Sequence, residues 1–508
     1  MSALVVLSAL ALNSGCMSMY FHESPAPLAG PPPPLQTLDN LETREGWHLI
    51  FFKGNEKIGF YRYSISLMDD GNYRVQFQSL QRFRMLGIKK EIHIFEEDVV
   101  TPDFRLVSTV TRQVLDGKEQ TTRGTLAGGS LRVEVSTEHQ EAVKDIPIQA
   151  PLYPEAAMDF LPVLKGLVPG REYRYHAFSP ATQSVGEVVQ RVVRYERSDL
   201  LNHDAYRVKT SFQNIEANSW FNDKGEKVLE ILLGGIFISE RRNKAQVQQF
   251  ILDKTLAKSD LMLDFSRVTA DRPIPSPGSV RSLTVEIQGL TDERLVIRDP
   301  EQEAMVEEDR LLYEIRRLDA KEERSLRMPM VLGPEMEPFL LPSFQIQSRH
   351  PDILRQAREI AGDAPDSLTA VRRLAMWVGR EIEDDLVESF SAVDVLKTRK
   401  GECQAHTFLY TALARALNIP TRVVSGLVYV EDVGFLFHAW AESFVGWWIS
   451  VDPTMKQVPS DATHIKMVIG EKPEGLHLMV NVLGQLRASI KSYEHWKNNE
   501  HIPVSERP

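Results

Sequence analysis

Three residues in the last quarter of the chain could together carry out nucleophilic chemistry: Cys403, His438 and Asp452. A thiolate attacks carbonyl carbon well, an imidazole can take and return its proton, and a carboxylate can fix the tautomer of that imidazole and stabilise its charged form. Such a set opens an amide or peptide bond through a thioester, which water hydrolyses or an amine intercepts.

Each of the three needs a rigid element beneath it. Gly401-Glu402-Cys403 is followed by Ala405, Phe408, Leu409, Ala412, Leu413, Ala416 and Leu417, and the run stops at Asn418-Ile419-Pro420. This spacing predicts a buried helix with the thiol in its first turn. Free amides and the positive end of the helix dipole there favour thiolate, which lowers the expected pKa of Cys403. The same amides could donate to an oxyanion. By itself, however, a free cysteine in such a place also reads as a small buried hydrophobe. Arg422 to Val430 and Phe435 to Phe444 read as strands; beyond a turn at Val445-Gly446 come Trp448 to Val451 and then Asp452-Pro453. A hairpin about that turn makes His438 and Asp452 cross-strand neighbours to within one residue.

Other residues near these have plainer readings. Cys403-x-x-His406 could be half a zinc site completed from His438, Glu442 or His464. The order of thiol, imidazole and carboxylate explains the same residues without a metal, and no cofactor is expected. Trp440 and Glu442 share a strand face with His438 and read as its support. His464, in Asp461-Ala462-Thr463-His464, either lines the cleft or sits on a surface loop.

Taken together, Gly401-x-Cys403, the helix end from Ala414 to Arg422, His438-Ala439-Trp440-x-Glu442 and Asp452-Pro453-Thr454 resemble the transglutaminase-like superfamily, and Ser391-Ala392 with Val395-Leu396 fits that family's approach to its cysteine. The resemblance implies a papain-like α+β fold with Cys403 as nucleophile, His438 as general base and acid, and Asp452 as orienting residue. It also implies a protein or peptide substrate. Members of the family include crosslinking acyltransferases, peptidases and amidases, and proteins that have lost activity. An upstream aromatic or amide side chain often completes the oxyanion hole in this family; Gln404 and Trp377 are the candidates here.

Upstream the texture is β. Tyr61, Tyr63, Ile65 and Leu67 alternate with polar residues up to Asp70-Gly71, and reversals recur at Asp116-Gly117 and Gly128-Gly129. A second β-rich stretch runs from about Tyr173 to Phe250. The expected fold class is therefore multidomain, with two N-terminal antiparallel β modules followed by the α+β domain. The β modules span 45–145 and 146–272, a connecting segment 273–345, the transglutaminase-like domain 346–475, and a C-terminal strand and tail 476–508. Within the connection, Glu301 to Arg327 fits either helix or strand, and a final strand is expected near Leu476 to Val482.

The chain start adds a different expectation. An apolar run from Ala3 to Leu12 leads through Ser14-Gly15 to Cys16, which resembles a bacterial lipoprotein signal over 1–16 with Cys16 as the acylated residue. The linker at 17–44 contains a polyproline-type spacer, Ser24 to Pro34. These features predict a lipoprotein of the cell envelope, membrane-anchored and facing the periplasm. With 508 residues, a formal charge of −11 and no basic block, the chain is large enough for several domains and unlike a nucleic-acid binder. Its two cysteines exclude a disulfide scaffold, a four-thiolate zinc site and an iron–sulfur cluster.

Overall fold

The computed structural model describes residues 44–496 except 53–55, 86–87, 198–200, 202, 253–266, 291, 308–309, 321–323, 386–390, 472–477, 480–481 and 483–485. Cys16 and the proline-rich spacer lie outside the described residues. The chain divides into two compact units, Met1–Phe265 and Ser266–Pro508. No helix among the described residues is long and apolar enough to cross a membrane.

The first unit is a sheet of fifteen strands between Glu45 and Arg241. Its hairpins turn where glycine relieves the cost of positive φ, as at Gly71, Gly117 and Gly129. The two expected β modules are not separate sheets. Strand Glu45–Phe52 pairs with Glu56–Leu67 on one side and with Phe237–Arg241 on the other, so the halves share one hydrogen-bond ladder. Local alternation predicts strands, but which edges meet is a long-range property. Between the halves, the connection near Tyr153 to Leu167 forms a short strand, Leu152–Pro154, and a helix, Ala157–Leu164.

The interior of this sheet is partly acidic. Along strand Ile88–Val100 the inward positions run Ile92, Ile94, Glu96, Asp98 and Val100, while Phe95 stays partly exposed. Thr111 lies opposite Glu96 and Thr109 opposite Asp98, and Glu155 is buried within electrostatic range of both acids. Among the described residues, no ion pair involves these three carboxyls. Burial pushes Asp98 up to about 6 and Glu155 up to about 7, and it raises Glu96 well above its ordinary value, with Asp98 and Glu155 adding to the rise. A carboxyl whose pKa is higher folded than unfolded contributes stability at low pH, and this is lost as pH rises from the unfolded value through the folded one. The first unit should therefore lose stability between about pH 4 and 7. Glu155→Gln is expected to stabilise the protein at pH 8 by on the order of 2 kcal/mol while changing little at pH 5. Thermal unfolding of the full chain across that range checks this; a variant that tracks wild type at every pH would refute it.

The second unit has two antiparallel sheets, with elements numbered from its start. Strands β1 (Val280–Gln288), β2 (Gln302–Glu307), β3 (Arg310–Arg316) and β8 (Arg487–His495) form one sheet in the order β2-β3-β1-β8. The other sheet has the order β6-β5-β4-β7, from β4 (Thr421–Val430), β5 (Gly434–Phe444), β6 (Trp448–Val451) and β7 (Ile465–Ile469). Helices α1 (Pro351–Ala361), α2 (Ser367–Glu381), α3 (Ala392–Thr398) and α4 (Cys403–Ala416) share one core with Val423, Ala441, Ile449 and Val451. A second core joins the two sheets through Leu283, Val285, Tyr313, Leu427, Phe435 and Ile465.

These contacts change the expected divisions of this region. Segment 273–345 is not a mere connection, because it supplies three strands and part of a core. The first part of the stretch that fits helix or strand supplies the paired strands β2 and β3. The final strand is β8 rather than 476–482, where the described residues 478 and 479 are helical. In β8 only Ala488 and Ile490 are buried, too few to stand out in a charged tail.

Candidate active site

Cys403 is the first residue of α4, as its spacing predicts. Glu402 is the N-cap, and its Oε2 accepts the Gln404 N–H at 3.0 Å. Thr407, one turn on, lies with its hydroxyl 2.8 Å from the Cys403 carbonyl oxygen and 3.0 Å from that of Ala439. The first turn of the helix is thereby pinned to β5 beside His438. On this strand the Ala439 backbone amide lies near enough to favour the thiolate form of Cys403.

The hairpin register differs by a small step from the expected one. Val445, Gly446 and Trp447 make the turn, Ala441 pairs with Val451, and Asp452 comes level with Trp440 rather than His438. Because the offset is two residues, the alternation of the strand keeps both groups on one face. His438 Nε2 and Asp452 Oδ2 are 2.7 Å apart. The other carboxylate oxygen of Asp452 accepts the Met455 N–H at 2.9 Å. Two glycines permit this arrangement. A Cβ at Gly379 of α2 would lie 2.4 Å from the Pro453 carbonyl oxygen, and one at Gly426, opposite His438, would lie 1.9 Å from that of Ile465.

His464 is buried, not on a surface loop. Its Nε2 lies 3.1 Å from the same Asp452 Oδ2 that meets His438, and its Nδ1 lies 3.1 Å from Asp461 O and 3.3 Å from Asp461 Oδ1. Trp440 stacks near His438 and presents its ring edge-on to His464, with centroids 6.1 and 5.1 Å apart.

The electrostatics of the thiol run against the helix-start expectation. Burial pushes the Cys403 pKa up, and the neighbouring Glu402 carboxylate, to which Sγ donates at 3.1 Å, raises it further. The free Gln404 amide that would have favoured thiolate is already taken by this carboxylate. For Asp452, burial would raise the pKa, but His438 and His464 outweigh it and hold the carboxyl far below the usual range. For His464, burial opposes protonation, yet Asp461 and Asp452 push its pKa up to about 10.

The remaining candidates divide clearly. His406 is buried with Nδ1 3.0 Å from Glu402 O and Nε2 3.3 Å from Ile382 O, so it ties the preceding segment to the helix start. Glu442 is an internal counter-ion for Arg422 at 2.6 Å and Lys466 at 2.5 Å. Trp377 lies under the Arg399 guanidinium, 4.6 Å from the ring centre, and packs on the helical core. Gln404 is in the first turn beside the thiol. Glu402, Thr407, the Ala439 amide and Asp461 escape a sequence reading. Glu is not a favoured N-cap, and the other three act through contacts that spacing does not reveal.

Ligand atoms of His438, Asp452 and His464 all lie within 4.8 Å of one another, close enough to share an ion. Asp452 Oδ2 sits between the two nitrogens at hydrogen-bond distances.

These features define an α+β domain with a cysteine at the start of its central helix and an imidazole–carboxylate pair on the sheet beside it. Residues 355–453 match the transglutaminase-like superfamily, and the C-terminal half of the chain thus carries a transglutaminase-like domain. No curated protein matches the chain. Among solved structures, a candidate cysteine protease from Cytophaga hutchinsonii is similar at 20% identity and a TM-score of 0.29, over 42% of this chain and 86% of that one. A β-barrel-like protein of a domain of unknown function from Brucella abortus is similar at 14% identity and a TM-score of 0.30, over 39% of this chain and 94% of its own. A candidate protease from Parabacteroides distasonis shows 10% identity and a TM-score of 0.20, over 77% and 65%.

Replacing the Glu402 carboxylate with an amide removes the nearest negative charge from the thiol. Glu402→Gln is expected to lower the pH midpoint of Cys403 alkylation by iodoacetamide by about one unit and to speed the reaction several-fold at pH 7. Peptide mass mapping across a pH series reads both; an unchanged midpoint would show that Glu402 does not govern the thiol.

Proposed function

We propose that the protein is a cysteine amidohydrolase or acyltransferase acting on amide or peptide bonds of protein or peptide substrates, with Cys403, His438 and Asp452 as its catalytic triad. The observation that carries this reading is the 2.7 Å His438–Asp452 pair on the strand against which the first turn of the Cys403 helix is fastened through Thr407. With its Nε2–H donated to Asp452, neutral His438 keeps the lone pair on Nδ1 as the base.

Cys403 gives its proton to that nitrogen, and the sulfur forms a bond to the substrate carbonyl carbon. As the carbon–nitrogen bond breaks, the imidazolium returns the proton to the leaving amine and a thioester remains. Water then attacks with His438 again as base, releasing an acid and the free thiol; an amine in place of water gives a new amide. The Ala439 and Gln404 amides are the candidate donors for the developing oxyanion. Gln404 would have to exchange its Glu402 contact for that role.

A second reading, a non-catalytic envelope-binding protein that keeps the fold, draws support from the Glu402 carboxylate that holds the thiol protonated. An activity-based thiol probe on the native protein discriminates, with Cys403→Ala as control. The enzyme reading expects labelling and substrate-peptide turnover that both vanish in the variant, with folding retained. Equal peptide binding by both proteins, with no product from either, would favour the second reading. We propose further that the protein works in the cell envelope, anchored through a lipid on Cys16. Metabolic labelling with a fatty-acid analogue should mark wild type and miss Cys16→Ala, and equal label in both would exclude the anchor.

A further inference from the structure

Asp452 Oδ2 has two imidazole partners, one more than a triad needs. Beyond His464 the chain of contacts continues. Asp461 Oδ1 accepts the Thr463 N–H at 2.8 Å and the Thr463 hydroxyl at 2.5 Å, and Asp461 Oδ2 accepts the Gln457 side-chain amide at 2.8 Å. Gln457 in turn pairs with the Asp452 backbone at 2.9 and 3.0 Å, closing a loop about the site. Asp461, Thr463 and Gln457 are not legible as parts of the site in the sequence.

Every group facing the two His464 nitrogens is an acceptor. Nε2 faces a carboxylate oxygen; Nδ1 faces a carbonyl oxygen and a second carboxylate oxygen. A neutral imidazole has one donor and one acceptor nitrogen, so it would set a lone pair against an oxygen at about 3 Å. Only the doubly protonated ring satisfies both sides, and it is buried where an unmatched pair is costly. We infer that His464 is a permanently charged positioning residue. It clamps Asp452 from behind, so that His438 faces an Asp452–His464 ion pair instead of a lone carboxylate.

The inference deepens the enzyme reading and, for its effect on the thiol, rests on it. A cation behind Asp452 offsets part of the negative field that this carboxylate exerts on its other partner, His438. Asp461 offsets that cation in turn. The other ionisable groups around the chain are Cys403 and Glu402 on the helix side and Arg317, whose guanidinium lies within electrostatic range of Asp461. Lys466, two residues on, is engaged by Asp299, Glu301 and Glu442.

The test uses the full chain with ¹³C-labelled histidine rings, followed by NMR from pH 5 to 9. His464→Gln assigns the His464 signal and removes the charge while its amide can still donate to one carboxylate. The wild-type His464 ring should read as imidazolium throughout the range. In His464→Gln the His438 midpoint should rise by about one unit, and the pH profile of Cys403 alkylation should move the same way. Asp461→Asn should bring the His464 midpoint down into the measured range. A merely structural role would leave the His438 midpoint in place.

A His464 ring that titrates as an ordinary histidine in wild type overturns the inference, as does an unmoved His438 midpoint in folded His464→Gln. Stoichiometric metal in wild type that is lost with His464 would also overturn it. If His464→Gln fails to fold, the wild-type ring state, assigned through Asp461→Asn, still decides. Should Cys403 prove unreactive in every form, the enzyme reading falls while the histidine titrations stand or fall separately.

Discussion

One buried carboxylate oxygen organises the second unit. Asp452 Oδ2 accepts from two imidazoles while Oδ1 is held by a backbone amide, and the residue has no exposure to solvent. Removing either imidazole would leave a buried charge under-compensated, a situation that costs several kcal/mol. The surrounding structure is therefore arranged to keep the partners in reach. Gly379 lets the loop after Asp452 approach α2, Gly426 lets β4 approach Ile465, and Thr407 fastens the helix start to β5.

The thiol sits at the edge of this charged chain rather than inside it. Its immediate neighbours pull in opposite directions: the Ala439 amide favours thiolate, while burial and Glu402 favour the protonated form. A helix N-terminus is commonly credited with activating a cysteine, yet the cap residue decides how much of that field the sulfur feels. Here the cap is itself an anion. On the proposed reading, reactivity depends on whether the Glu402 carboxylate leaves the thiol, which gives the residue before Cys403 a controlling position.

Much of the second unit could be read in advance, because its signals are local. The helix from Cys403 is marked by apolar spacing and a Pro stop, and the β5–β6 hairpin by its turn. The register slip of the hairpin left the His438–Asp452 pairing intact, since a two-residue offset preserves the face. What escaped were contacts between distant segments. Strand β1 pairs with β8 from the far end of the unit, and Lys466 gathers Asp299, Glu301 and Glu442 into one cluster. In the first unit, the inward acids of Ile88–Val100 sit at positions that alternation alone assigns to apolar residues.

The sequence by itself determined which residues could perform the chemistry and the elements that carry them, because helical spacing, caps and turns act over a few residues. Tertiary structure decided their electrostatic state. Whether Cys403 meets an amide or a carboxylate, whether Asp452 has one imidazole or two, and whether His464 is exposed or clamped between two acids depend on which surfaces pack together. Coulomb energies vary steeply with distance and burial, so the same residues in the same order are compatible with an activated thiol or a guarded one. Packing settled on the guarded form, with a second histidine behind the first.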